Sequence, residues 1–204
     1  NRLPILFLPG DTYANRMPDP VLQQVEHFNN PGNTANDAFK PVTRYFDRIT
    51  RPEQIIQSFP AAVQTMLDPA DCGPACISLS QDIQGQTFDY PEDFFKEKIH
   101  TIRRPRPDEF QIKEAAEKIK SSKNPIIISG GGVFYSNAME ELSKFAIKHN
   151  IPVTQTVMGY STMKRDHSHY AGQIGGLGGK NTNSLAKQTD LAIAVGTKLG
   201  DFTT

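Results

Sequence analysis

The sequence has little of almost everything that would give it a simple identity. It holds two cysteines in 204 residues, and 22 Lys+Arg against 22 Asp+Glu leave a formal net charge of zero. A neutral chain offers no long-range field to gather nucleic acid or an anionic membrane surface, which excludes both as principal partners. Its apolar runs, such as those at 5–8 and 126–128, fall far short of the roughly 20 residues that span a bilayer. No charged-then-apolar leader precedes them. These absences imply a soluble, cytoplasmic protein.

Cys72 and Cys76 bracket Gly73-Pro74-Ala75, one residue more than the Cys-x-x-Cys of redox sites, so the usual redox geometry is missing. Cys76 also opens an apolar stretch, where a small buried thiol is expected. Phosphate motifs are missing in the same way. Neither G-x-x-x-x-G-K-[ST] nor G-x-G-x-x-G occurs. Of the five histidines, His27, His100 and His149 stand alone, while His167 and His169 flank Ser168. On an extended segment that pair could face one way and touch a metal, but no third ligand lies near them in sequence. No metal ligand and no catalytic residue are assigned.

What is present is an alternation of apolar runs with amphipathic stretches, the pattern of α/β layers on a parallel sheet. In the first half it predicts strands at 3–8, 42–49 and 75–79, and helices at 20–28, with Asp19 as N-cap, and 53–67. In the second helix Ile55, Phe59, Ala62, Val63 and Met66 share a face, and Pro60 predicts a kink or break. Pro-rich residues 91–107, ending in Arg103-Arg104-Pro105-Arg106-Pro107, read as a solvated linker. The pattern then restarts with a helix on which Ile112, Ala115, Ala116 and Ile119 share a face. Strands at 125–129, 152–157 and 191–195 follow, with a helix at 137–149 and a long glycine-rich loop running to about Asn183. A chain that starts on one strand and stops nine residues past another is expected to be cut at both ends, since parallel sheets are covered on both faces.

Two glycine clusters are the candidate binding loops. Gly130-Gly131-Gly132 follows a strand and opens a helix, where amides and the helix dipole could hold a phosphate; a tight turn explains the same residues. Gly172, Gly175, Gly176, Gly178 and Gly179 crowd the second loop, at the sheet edge where open α/β folds bind ligands. Gly10-Asp11-Thr12 with Asn36 imitates a magnesium–diphosphate motif, Gly-Asp-Gly followed by Asn, but Thr12 replaces the second glycine. The match is read as coincidence.

Several unrelated segments together resemble one family. These are Asn124–Val133, Ile151–Thr156, Met158-Gly159, His167, Gly172 and Thr189–Thr197, with Gly73–Asp82 upstream. They resemble the acetolactate-synthase-like thiamine-diphosphate enzymes, in that family's order. The resemblance implies residues 1–90 as the C-terminal part of a pyrimidine-binding α/β domain. It implies 91–107 as linker and 108–204 as most of a Rossmann-like, parallel-sheet central domain, truncated at both ends. Further stretches, including Leu6–Thr12, Pro18–Gln24, Phe39–Ile49 and Asp68–Pro74, resemble the branch of the family that hydrolyses a cyclic 1,2-diketone to 5-deoxyglucuronate in myo-inositol catabolism. Thiamine diphosphate and magnesium would then be cofactors of the full-length enzyme, and a dimer or tetramer its state. The family's cofactor-activating glutamate and magnesium motif fall outside these residues, so this chain alone is expected to carry no cofactor and no activity. Gly130, Gly131, Gly175, Gly176 and Lys198 are what could remain of a flavin nucleotide site found in some relatives. Lys198 stands where those relatives carry arginine, and lysine lacks the forked donor geometry. Two alternatives stay open: a lyase or ligase acting on 2-oxoacids, and a non-catalytic nucleotide-binding module.

Overall fold

A computed structural model describes residues 2–17, 29–30 and 32–203. The helix expected at 20–28 and its Asp19 cap lie outside those residues. The chain divides into two compact units, Asn1–Arg103 and Arg104–Thr204. Both are α/β with parallel strands.

The first unit is built around β4 (Ala75–Ser80), with β1 (Leu6–Phe7) and β2 (Gly10–Asp11) along one side and β3 (Tyr45–Ile49) along the other. The single strand expected over 3–8 is therefore two short pieces that pair with the two ends of β4. Pro9 separates them for a physical reason. Its carbonyl accepts from the Leu79 amide at 2.9 Å, but proline has no N–H to return to a ladder. Along β4 side chains alternate between faces. Ala75 and Ile77 join Ile49 and Ala62 in a buried apolar cluster on one face, while Cys76, Ser78 and Ser80 fall on the other, also buried.

Ala62 belongs to α1 (Ile55–Leu67), which packs on that cluster through Ile55 and Met66 as well. The helix runs unbroken through Pro60, where a kink or break is expected from sequence. Proline removes one helical hydrogen bond. Packing of Ile55, Ala62 and Met66 on the cluster holds the helix together on both sides of it. Phe59, placed on the inner face by spacing, is instead 40% exposed.

The second unit holds a four-stranded sheet in the order β7-β6-β5-β8: Tyr170–Gln173, Val153–Gln155, Pro125–Ser129 and Leu191–Val195. Ile127 and Val153 join Leu142 and Ala146 of α4 (Met139–His149) in its core. β7 lies inside the stretch expected to be loop. Its sequence Tyr-Ala-Gly-Gln has no apolar run to signal a strand, and its pairing with β6 slips register between Val153 and Thr154. The tract after β5 is also more ordered than expected. Gly131–Tyr135 forms a short helix, α3, and Asn137 turns left-handed (φ 54°) before α4 begins.

α2 (Glu109–Ser121) is capped by Asp108, whose carboxylate accepts from the Phe110 and Gln111 amides. No residue of α2 is buried, and Ile112 is 51% exposed. Of its predicted inner face, Ile119 packs against the core. Beyond α2, Asp190 clips the 122–124 turn to the start of β8. It accepts from the Ser122 hydroxyl, the Lys123 amide at 2.7 Å and the Asn124 amide at 2.9 Å. These three bonds, the Ser122 bond first, favour the ionised form and bring its carboxyl down to about 2. A group lowered on folding contributes stability above its unfolded value, and that contribution fades as pH falls toward the folded one. Asp190→Asn is therefore expected to lower the urea midpoint of this unit at neutral pH. The deficit should shrink as pH approaches 2, measured by urea titration at stepped pH. α5 (Lys180–Lys187) follows the second glycine loop.

Candidate functional site

Ligands of parallel α/β sheets sit at the carboxyl ends of the strands, and both sheets gather polar or glycine-rich residues at that edge. In the first unit the edge is occupied by a network of charges. Asp11, at the end of β2, is 1% exposed. One of its oxygens accepts from the Thr12 amide at 2.8 Å, and the other from Arg48 Nε at 2.7 Å and from the Ser78 hydroxyl. The same guanidinium reaches Thr34 Oγ1 at 2.9 Å and Asp37 Oδ1 at 3.0 Å. Asn36 donates its amide to the Gly10 carbonyl and to Ser78 Oγ, both at 2.8 Å.

The sequence builds this network locally. Thr34 and Asp37 form a capping box on the 3₁₀ turn Ala35–Val42, each side chain satisfying the other's backbone amide. The turn therefore presents Asn36 and Asp37 to the sheet in a fixed pose. Burial pushes the Asp11 carboxyl upward, but hydrogen bonds from Ser78, Arg48 and the Thr12 amide outweigh it, leaving it below the ordinary value. Asp37 is likewise held low, its burial outweighed by Lys40, the Thr34 amide and Arg48. Burial opposes the charge of Arg48, and the two carboxylates more than restore it.

Asp11 and Asn36, whose match to the motif is read as coincidence, share Ser78 as a partner, and for a reason other than a cation. The Asp11 carboxylate is filled by protein donors and faces a guanidinium, which repels a metal ion instead of inviting one. Among the described residues no group of three or more His, Cys, Asp or Glu could hold a metal. Sequence reading missed Arg48 and Asp37 as members of this cluster. The usable signal was the T-x-x-D capping pattern at 34–37.

His167 and His169 have rings 5.7 Å apart, each engaged by neighbours. His167 Nε2 lies 2.9 Å from Ser143 Oγ, and its Nδ1 accepts from the His169 amide at 3.1 Å. His169 Nε2 is 3.0 Å from Asn150 Oδ1. Both cysteines are free. Burial pushes both thiols above their ordinary value, which suppresses the thiolate that redox or nucleophilic chemistry requires.

In the second unit the carboxyl edge gathers the candidate glycines. Gly130 and Gly131 sit where β5 passes into α3, directly against the turn after β8. The Gly130 amide donates to the Val195 carbonyl at 2.9 Å, and the Gly132 amide to the Gly196 carbonyl at 2.8 Å. A Cβ on Gly132 would stand 2.6 Å from Gly196 Cα, and one on Gly131 would stand 2.9 Å from the Met158 carbonyl oxygen. Beside them Thr162 Oγ1 bonds Ser129 Oγ at 2.6 Å and donates to the Gly159 carbonyl at 2.7 Å. Gly175 and Gly176 lie on a separate turn before α5, facing residues 202–203. Lys198 is exposed on the segment after β8. The structure thus brings 130–132 to 196, and 175–176 to 202–203.

Comparison with known proteins adds what the geometry alone does not give. Residues 112–204 match the family described as thiamine pyrophosphate enzyme, central domain. Over all 204 residues the chain is 50% identical to a 3D-(3,5/4)-trihydroxycyclohexane-1,2-dione hydrolase of Clostridium perfringens. It is 48% identical to the enzyme of that name in Bacillus velezensis and 47% to that in Bacillus subtilis. In each case it spans 32% of the relative's length.

Proposed function

We propose, from the match of residues 112–204 to the family described as thiamine pyrophosphate enzyme, central domain, that the chain serves in a 3D-(3,5/4)-trihydroxycyclohexane-1,2-dione hydrolase. The observation that carries this reading is identity of 47–50% along the entire chain, through both units. A likeness confined to the central domain would speak only for the broad family. The reaction is hydrolytic cleavage of a carbon–carbon bond, opening the ring of a cyclic 1,2-diketone to 5-deoxyglucuronate in a cytoplasmic step of myo-inositol catabolism. Thiamine diphosphate supplies an electron sink for that cleavage when bound.

On this reading residues 1–90 are the C-terminal part of a pyrimidine-binding domain, 91–107 a linker and 108–204 most of the central domain. These residues do not fit the magnesium–diphosphate group. Asp11 and Asn36, the pair that imitates its motif, are committed to Arg48, Ser78 and Gly10. The cofactor and its ion are therefore assigned to other parts of a longer, homo-oligomeric enzyme. The 204 residues contribute framework: the Arg48 cluster fixes the carboxyl edge of the first sheet, and the glycine crossings fix that of the second.

The test is substrate discrimination by the longer polypeptide, supplied with thiamine diphosphate and magnesium. Formation of 5-deoxyglucuronate from the cyclic dione, with no turnover of pyruvate, is expected. Turnover of pyruvate but not the dione would replace this reading with the 2-oxoacid lyase or ligase.

A further inference from the structure

The glycine clusters give the second unit the look of a nucleotide binder, and their hydrogen bonds argue otherwise. Such loops hold a diphosphate through backbone amides that point outward with no protein partner. Here six amides of the two loops are spent on the chain's own carbonyls. At the first loop Gly130 and Gly132 donate to the carbonyls of Val195 and Gly196, and Val133 donates to that of Gly130 at 3.1 Å. At the second loop Gly176 donates to the Phe202 carbonyl at 2.9 Å, Gly178 to that of Gly175 at 2.8 Å, and Gly179 to that of Gln173 at 3.0 Å.

Gly175 is held by a side chain. Asn183, in the first turn of α5, accepts from the Gly175 amide at 3.0 Å and donates Nδ2 to the Gly175 carbonyl at 3.0 Å. One carboxamide thus answers both polar atoms of the residue, the pairing that an incoming ligand or strand would otherwise make. Space agrees with bonding. Gly175 adopts φ +97°, and a Cβ there would drive into the Phe202 carbonyl. Glycine is required at 175 for the chain to approach itself.

We infer that these two loops form an internal backbone lock that takes no nucleoside diphosphate, with Asn183 as the positioning residue of the second loop. The lock stands independently of the hydrolase reading, since it concerns a ligand that reading does not use. The cations at the rims of the two loops, exposed Lys180 and Lys198, are point charges on flexible stems.

Titration of the 204-residue chain with FAD, NAD and ADP, followed by calorimetry, tests it. No saturable binding is expected up to about 1 mM, the weak limit of specific affinity near 4 kcal/mol. One-to-one binding below about 100 µM, weakened on the order of tenfold by Gly176→Glu or Lys198→Glu, would overturn the inference. Binding indifferent to both substitutions places the nucleotide elsewhere and leaves the lock standing. Amide hydrogen exchange reads the lock itself. Asn183→Ala is expected to speed exchange at Gly175 and Gly176 on the order of tenfold or more while α4 keeps its protection. Unchanged exchange at both glycines would show that Asn183 holds nothing.

Discussion

Replacing Arg48 with methionine is expected to destabilise the first unit by about 3–5 kcal/mol, the usual cost of breaking a buried ion pair by removing one partner. The magnitude comes from what is left behind. Asp11 is buried and one of its oxygens depends on Arg48 and Ser78 together. Without the guanidinium its carboxylate stays out of water with its charged partner gone, and Asp37 loses the same link to the sheet. Arg48→Lys should fall between the two, because an ammonium keeps the charge but cannot span Asp11, Thr34 and Asp37 at once.

The pH dependence distinguishes an electrostatic effect from lost packing. In the native protein Asp11 and Asp37 both titrate below their ordinary value. Their contribution is therefore complete above the unfolded carboxylate range, about pH 4, and is lost as pH falls through the folded values. In the methionine variant burial acts on Asp11 with less to oppose it, so its carboxyl shifts upward. Acid then relieves the variant by neutralising the buried charge, and below about pH 4 it weakens the native protein as well. Urea midpoints of the two should converge as pH drops from 7 to 4. A constant gap would assign the loss to the Arg48 stem alone.

Gly159→Ala is expected to destabilise the second unit by about 3 kcal/mol or more, at the upper end of what overpacking costs. An added Cβ would run into the Ser129 carbonyl, at the end of β5. Neither side can yield cheaply. Ser129 is paired to Gln155 and Val195 in the sheet, and Gly159 is held by its own amide on Thr156 and by the Thr162 hydroxyl on its carbonyl. Gly176→Ala is the control. Nothing lies within 4 Å of a Cβ at that position, so its effect should stay within about 0.5 kcal/mol. Urea unfolding of both variants checks the contrast, and equal losses would refute the crossing as the reason for glycine at 159.

These two sites show what the sequence could and could not reveal. The strands at Pro125–Ser129 and Leu191–Val195 were legible as short apolar runs, and Ala75–Ser80 by its apolar residues Ala75, Cys76, Ile77 and Leu79. β7 was not, since Tyr170–Gln173 offers no such run and gains its place from pairing with β6. The unbroken α1 was obscured by Pro60, a local signal that packing overrides. Glycine clusters were visible as clusters, but composition cannot tell close approach to a ligand from close approach to the chain's own backbone. The T-x-x-D pattern marks Asp37 as a capping residue, but its pairing with Arg48 was invisible for a related reason. Their role exists only once β2, β3 and the 3₁₀ turn meet, and no periodicity records that meeting.

The most direct test of the central claim, that these residues supply framework and leave the chemistry to other parts of a longer enzyme, is an assay of the chain by itself. The 204 residues are incubated with thiamine diphosphate, magnesium and the cyclic dione, and ring opening is followed as 5-deoxyglucuronate. No product above the uncatalysed rate is predicted. Sustained production of 5-deoxyglucuronate by this chain alone would contradict the account.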